Sequence, residues 1–181
     1  MRVSGGALRS REIAVPKGRA LRPTPGRVKE ALFSIVAERV RDARVLDLYA
    51  GTGALGFEAL SRGAAHVVFV EAHAPTAARI RATAQRLGVA GRTTVIVARA
   101  ERVAKRLGGP FDILFADPPF ADGPPSAAVA ALRAAGALPP GALVVHERPP
   151  AGPPIEGEGL VRGRTARYGD VALDFIGVGD A

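Results

Sequence analysis

The chain has 181 residues, nearly half of them apolar, a net charge of +8 and no cysteine. That length suits one domain with a full core, and no apolar run approaches the roughly 18 to 20 residues of a membrane span. Without cysteine there is neither a disulfide framework nor a thiolate site, and residues 1–6 lack the apolar stretch of a secretory signal, so a cytoplasmic protein is expected.

The charge is unevenly placed. Residues 1–44 carry eleven basic and four acidic side chains, and the remainder is nearly balanced. A basic block at one end of a balanced domain is an electrostatic footprint for a polyanion, nucleic acid ahead of an anionic membrane. A plainer explanation is a compositional preference of the source, since the chain uses 22 Arg and only 3 Lys.

Residues 1–23 read as short extended pieces interrupted by Gly5-Gly6 and Pro16-Lys17-Gly18, a β-hairpin or an extended arm. Thr24 as N-cap and Pro25 at the first helical position then predict a helix. Its apolar face is Val28, Ala31, Leu32, Ile35, Val36 and Val40, and its outer face Arg27, Glu30, Glu38 and Arg41. From Arg44 short apolar runs alternate with helical stretches. Strands are expected at 45–48, 65–70, 93–97, 111–116 and 142–147, and helices at 54–62, 75–87, 100–107 and 126–135. Such alternation, with strands apolar on both faces, predicts a parallel sheet covered on each side by helices. The tail differs: residues 159–167 and 171–178 bracket Tyr168-Gly169-Asp170 and read as an antiparallel hairpin.

Two motifs carry chemistry. Asp47-Leu48-Tyr49-Ala50-Gly51-Thr52-Gly53-Ala54-Leu55-Gly56 leaves the first strand of the alternating region and opens a helix, with glycines spaced as in the dinucleotide pattern G-x-G-x-x-G. Glu71 follows Gly51 by twenty residues, where an acid accepts hydrogen bonds from ribose hydroxyls. NAD has a claim on this pattern. Against it, Asp47 stands four residues before Gly51, where its charge suits an amino group better than a pyrophosphate, and the chain is short for a dinucleotide sheet plus a substrate domain. S-adenosylmethionine, a nucleoside joined to an amino acid, satisfies both acids.

The second motif, Asp117-Pro118-Pro119-Phe120, follows an apolar strand directly. Two prolines end the ladder and leave a stiff loop presenting a carboxylate, outward carbonyls and an aromatic ring. Parallel topology brings it to the carboxyl edge that holds Gly51 and Glu71. An exocyclic amine on a base ring is a poor nucleophile because its lone pair is delocalised. Asp117 and the Pro118 carbonyl accepting its two N–H groups would aim that lone pair at a methyl donor, with Phe120 stacked on an unpaired or flipped base. His66, His73 and His146 have no neighbours at metal-ligand spacing and are expected to be ordinary strand and loop residues, and no metal site is expected.

Together, Asp47-Leu48-Tyr49-Ala50-Gly51-Thr52-Gly53, Glu71 and Asp117-Pro118-Pro119-Phe120 resemble the class I S-adenosylmethionine-dependent methyltransferases that modify exocyclic amines. Gly5-Gly6, Val15-Pro16-Lys17-Gly18, Arg22-Pro23-Thr24, Arg27-Val28-Lys29-Glu30-Ala31-Leu32-Phe33 and Tyr168-Gly169-Asp170 are similar to the bacterial small-subunit ribosomal RNA guanine-N2 methyltransferases. The resemblance implies an α/β, Rossmann-like, mostly parallel seven-stranded sheet with an antiparallel C-terminal hairpin, helices on both faces and an N-terminal hairpin or arm. Residues 1–24 would form the basic arm and 25–181 the methyltransferase domain of a monomer. It implies S-adenosylmethionine held by Asp47, Tyr49, Ala50, Gly51, Thr52, Gly53 and Glu71, with its adenine against the backbone of Ala100 or against Glu101. Catalysis would fall to Asp117, Pro118, Pro119 and Phe120. Ribosomal RNA of the small subunit or its assembly intermediate would be gripped by Arg9, Arg11, Lys17, Arg19, Arg22, Thr24 and Arg27. The four-residue catalytic motif is shared with DNA adenine-N6 and cytosine-N4 methyltransferases, and a non-catalytic RNA-binding assembly factor is a further alternative.

Overall fold

Short runs of Val, Leu, Ile and Phe buried on both faces require helices above and below them, and that requirement sets the architecture. The computed structural model describes residues 1–15 and 25–180. Its strands are β1 (Arg44–Leu48), β2 (His66–Glu71), β3 (Thr93–Val97), β4 (Ile113–Ala116), β5 (Leu143–Arg148), β6 (Leu160–Tyr168) and β7 (Val171–Val178). They form one sheet in the order β3-β2-β1-β4-β5-β7-β6. β1 to β5 pair in parallel; β7 pairs antiparallel with both β5 and β6, the C-terminal hairpin expected from the sequence. Strand order changes direction between β1 and β4, so a crevice opens beyond their carboxyl ends.

The helices are α1 (Gly26–Ile35), α2 (Ala37–Val40), α3 (Ala54–Ser61), α4 (Ala74–Arg86) and α5 (Ser126–Ala134). On one face of the sheet Leu32, Phe33, Phe57, Leu60 and Ile80 pack with Val45, Val67, Phe69 and Phe115. On the other, Ala128, Val129 and Leu132 of α5 pack with Leu46, Leu48, Leu114 and Val144. Among the described residues no helix is long and apolar enough to cross a membrane.

Three expectations need correction. Pro25 keeps an extended backbone (ψ 141°) and flanks α1 rather than entering it; Thr24, its expected cap, lies outside the described residues. The helix expected to run on to Val40 breaks at Val36 (φ −99°, ψ 11°), where the chain begins its turn into β1. Residues 100–107 form two 3-10 turns, Ala100–Arg102 and Ala104–Arg106, instead of one helix; with only Ala100 and Val103 buried between them, the segment has too narrow an apolar stripe to hold an α-helix on the sheet.

The N-terminal loop is closed by antiparallel pairing of Arg2 with Glu12 and anchored by Val3 and Ile13, each 2% exposed. A buried carboxylate fastens it to the domain. Glu58 of α3 is fully buried and accepts hydrogen bonds from the Ser4 N–H (2.8 Å), the Ser4 hydroxyl (2.9 Å) and the Gly5 N–H (2.8 Å). It also pairs with Lys29 Nζ at 2.9 Å and Arg62 Nε at 2.9 Å. Lys29 is itself buried and donates to the Arg2 carbonyl. Burial alone would raise the Glu58 pKa, but the donors, Ser4 first and then Lys29 and Arg62, hold it below the ordinary carboxylate value. Glu58 therefore stabilises the fold above the pKa of an unfolded glutamate, and that contribution is lost as pH falls through its depressed folded value. Glu58→Ala leaves the Lys29 ammonium buried without its anion and should cost about 3–5 kcal/mol, read as a lowered urea midpoint at pH 7 and as a smaller difference from wild type in acid.

Candidate active site

At the end of β1 the chain must turn sharply into α3, and it does so through left-handed backbone at Tyr49 (φ 64°), Gly51 (φ 55°) and Gly53 (φ 77°). A non-glycine residue such as Tyr49 adopts this region at a cost, and such strain concentrates at functional turns. The glycines have separate reasons. A Cβ on Gly56 would stand 2.2 Å from Phe69 Cε1, so this glycine lets α3 lie close on β2. A Cβ on Gly53 would stand 2.9 Å from Phe57 Cε2. Around Gly51 only the Tyr49 carbonyl comes as near as 3.9 Å to that position, so its outer side is open.

Acids from two strands frame the turn. Glu71, at the end of β2, reaches across to accept the Gly51 N–H at 2.9 Å and also accepts the His73 N–H at 2.8 Å. Asp47 in β1 is 2% exposed and accepts the Gly56 N–H at 2.9 Å. Burial raises the Asp47 pKa to about 8, against the pull of the Gly56 hydrogen bond and with added push from Glu71. The Tyr49 hydroxyl donates to Glu101 Oε1 at 3.3 Å, which links the turn to the segment after β3. Burial, with Glu101 next, raises the pKa of that phenol. Thr52 lies beside the first residue, its hydroxyl 3.9 Å from Met1 Sδ, while Ala50 and Ala100 are buried.

β4 delivers Asp117 to the same edge. Pro118 behind it is buried, Pro119 is exposed, and Phe120 opens a 3-10 turn with 43% of its surface exposed. Burial, then the charge of Glu147, then that of Asp47 raise the Asp117 pKa well above the ordinary carboxylate range. The register Ala116↔His146 aligns β4 with β5, so the next residues along, Asp117 and Glu147, stand level on adjacent strands. A shallow groove of about 40 Å³ beside Asp117 is walled by Pro118, Phe120, Pro124, His146, Glu147 and Pro149. Its rim is pinned by Arg148, which pairs with Asp174 at 2.5 Å and donates to the carbonyls of Pro149, Pro150 and Gly152. A cleft of about 420 Å³ lined by Arg39, Arg41, Phe111 and Pro139 lies at the opposite edge of the sheet and shares no residue with this site.

The two motifs thus converge, but the basic positions do not all follow. Arg27 is exposed in the first turn of α1, which descends from the carboxyl edge to the short connection into β1. Arg9 and Arg11 are exposed, and Arg9 belongs to the turn held at Ser61, at the far end of α3 from the glycines, about 12 Å along an eight-residue helix. Lys17, Arg19, Arg22 and Thr24 lie outside the described residues. Sequence reading passed over Glu147, the one acid at the end of β5. The signal available was positional: each parallel strand contributes its carboxyl end to such a site. His146 was expected to be ordinary, yet it is 1% exposed, its Nδ1 has no hydrogen-bond partner among the described residues, and burial pushes its pKa down to about 4 against the opposing charge of Asp174. Among the described residues no cluster of acids and histidines could hold a metal.

Ribosomal RNA small subunit methyltransferase D of Escherichia coli K12 is 40% identical over 123 residues, 68% of this chain and 62% of that protein, so the match spans less than two thirds of the relative's length. The solved structure of the yhhF protein of Escherichia coli is 34% identical, covers 100% of this chain and 99% of its own, and superposes with a TM-score of 0.89. An RNA methyltransferase from Salinibacter ruber in complex with S-adenosyl-L-homocysteine, at 17% identity and TM-score 0.68 over 88% of this chain and 95% of its own, shares the fold. Since the family match runs over residues 1–177 and takes in every candidate site residue from Asp47 to Glu147, the chain belongs to the family described as Conserved hypothetical protein 95.

Proposed function

We propose that this protein transfers a methyl group from S-adenosylmethionine to the exocyclic N2 amine of a guanine in small-subunit ribosomal RNA. The observation that carries the reading is the convergence of Asp117-Pro118-Pro119-Phe120 on the open glycine turn at Gly51. The ribosomal RNA substrate is supported by the relative's name and by the basic N-terminal quarter.

The residues present suit the donor. Asp47 is a buried acid with a single backbone donor, a place for a cationic amino group. Each Glu71 oxygen accepts one N–H and retains a second lone pair for a ribose hydroxyl. Tyr49, Ala50, Thr52 and Gly53 shape the turn, and Ala100 with Glu101 borders the adenine side. When bound, the donor supplies an electrophilic methyl on a sulfonium. Asp117 and the Pro118 carbonyl accept the two amine N–H groups and hold the lone pair toward that methyl, while half-exposed Phe120 offers its face to the base. A carboxyl with a raised pKa also suits the proton that the nitrogen sheds after transfer. The basic residues of 1–24, with Arg27, hold phosphates of the folded RNA.

Asp117→Ala should lower kcat/KM on undermethylated small subunits by about 10² to 10⁴-fold and leave donor affinity nearly unchanged; retained turnover would sink the assignment, and label appearing on duplex DNA instead of subunits would redirect it to a DNA amine. Charge reversal at Arg19, Arg22 and Arg27 together should weaken RNA binding and reduce its salt slope by about 2, measured by filter binding between low and physiological salt. Donor binding should also depend on pH. Because the Asp47 pKa is raised above its unfolded value, its protonated form favours the folded protein at low pH, and that contribution fades as pH rises through about 8. A cation beside Asp47 favours the ionised form. Donor affinity should therefore climb with pH, approaching tenfold per unit below about 8 and then levelling, and Asp47→Asn should flatten the profile in calorimetric titration.

A further inference from the structure

The four-residue motif holds an amine on a planar ring without saying which ring, because the N2 of guanine, the N6 of adenine and the N4 of cytosine all offer two N–H groups to Asp117 and the Pro118 carbonyl. What differs is whether a ring N–H lies beside the amine-bearing carbon. In guanine one ring neighbour of that carbon is N1, which carries a hydrogen, and the other is the bare N3. In adenine the ring nitrogen there is a bare N1, and in cytosine a bare N3, both acceptors. A group beside Asp117 that can only accept therefore separates guanine from the other two.

The fold puts such a group there. The β4–β5 register ends on Ala116↔His146, so Glu147 stands level with Asp117, one strand further from the glycine turn. Donor and acceptor sides of the site consequently lie on opposite flanks of β4. Glu147 is 6% exposed and walls the groove that also contains Pro118 and Phe120. The groove is narrow, about 40 Å³, and Phe120 forms part of its wall, where its ring can face a base whose edge enters. The same wall contains His146, 99% buried by its 1% exposure, whose Nδ1 has no partner among the described residues. Glu147 is close enough for its charge to act on Asp117.

Building on the proposed guanine-N2 reaction, we infer that Glu147 selects the base: its carboxylate accepts the guanine N1–H while Asp117 and the Pro118 carbonyl hold N2, and it repels the bare ring nitrogen of adenine or cytosine. Glu147 is a specificity residue on this assignment. The methyl goes to N2, the departing proton leaves N2, and Glu147 takes part in neither.

The test keeps the amine and removes the N1 hydrogen; because 2-aminopurine also lacks O6, the contact with Glu147 is read from how the base preference changes when Glu147 is replaced. Small subunits are reconstituted with ribosomal RNA carrying either guanine or 2-aminopurine at the methylated position; 2-aminopurine keeps the N2 amine but has a bare N1. Wild type should prefer guanine by roughly 10²-fold in kcat/KM. Glu147→Gln presents a carboxamide N–H that can donate to the bare N1, so the preference should fall to within about fivefold, while Glu147→Asp, still an acceptor, should keep it at a lower rate. Donor affinity, measured by calorimetry, should match wild type in both variants. A merely structural Glu147 would lower both rates together and leave their ratio where it was, which overturns the inference. Wild type accepting the two bases equally overturns it as well, whatever the variants do. Failure of wild type to methylate guanine at all would instead overturn the proposed reaction, so the two failures are distinguishable.

Discussion

Two buried carboxylates, Glu58 and Asp47, define what is support and what is site in this protein. Glu58 collects three hydrogen bonds from Ser4 and Gly5 and two cations, Lys29 and Arg62, and its pKa is held low. Asp47 has one backbone donor and no cation within 4 Å among the described residues, and its pKa stands near 8. A buried anion is tolerable when it is satisfied and expensive when it is not. The fold concentrates donors at Glu58, where the N-terminal loop must be fastened to α3, and gives Asp47 a single one at the carboxyl edge of the sheet. Burial and the charges of Glu147 and Asp47 likewise raise the pKa of Asp117 at that edge.

This division also explains the geometry between the two ends. Glu58 and the glycine turn sit on the same short helix, α3, and Gly56 brings that helix against Phe69 closely enough that any added methyl would clash. The loop anchored at Glu58 returns to place Met1 beside Thr52. Strain at Tyr49 and the left-handed turns at Gly51 and Gly53 are thus held from both sides, by the packing of α3 on β2 and by Glu71 reaching over from the end of β2. A turn kept open in this way is rigid before anything binds, and a rigid cradle gives up less entropy on binding than a loop that must order.

Much of this was legible in the amino-acid sequence. Alternating apolar runs and amphipathic stretches have different periods, so β1 to β5, α3, α4 and α5 could be placed to within a residue or two, and the glycine and Asp-Pro-Pro-Phe motifs could be located because each depends on local backbone chemistry. What escaped was what depends on partners distant in the chain. Lys29 reads as a solvated helix residue until Glu58, 29 residues later, is known to lie beneath it. The segment 100–107 has the composition of a helix, and only the narrowness of its buried stripe breaks it into 3-10 turns. Glu147 becomes a site residue only once β5 is known to lie beside β4 in register, because nothing adjacent to it in the chain marks it. Lys17, Arg19, Arg22 and Thr24 lie outside the described residues, so that stretch contributes only its charge.

On the proposed reaction, chemistry and selectivity rest on different strands. What any base amine would require, an acceptor pair and a stacking ring, is then packed into four consecutive residues after β4, where proline stiffness fixes their mutual geometry. Discrimination among amines would need a contact further along the ring edge, and the neighbouring strand, at a spacing of about 4.8 Å, is placed to supply it. A motif search restricted to Asp117-Pro118-Pro119-Phe120 would group this protein with enzymes acting on adenine and cytosine. The residue inferred to separate them, Glu147, lies thirty positions away in the chain and one strand away in space.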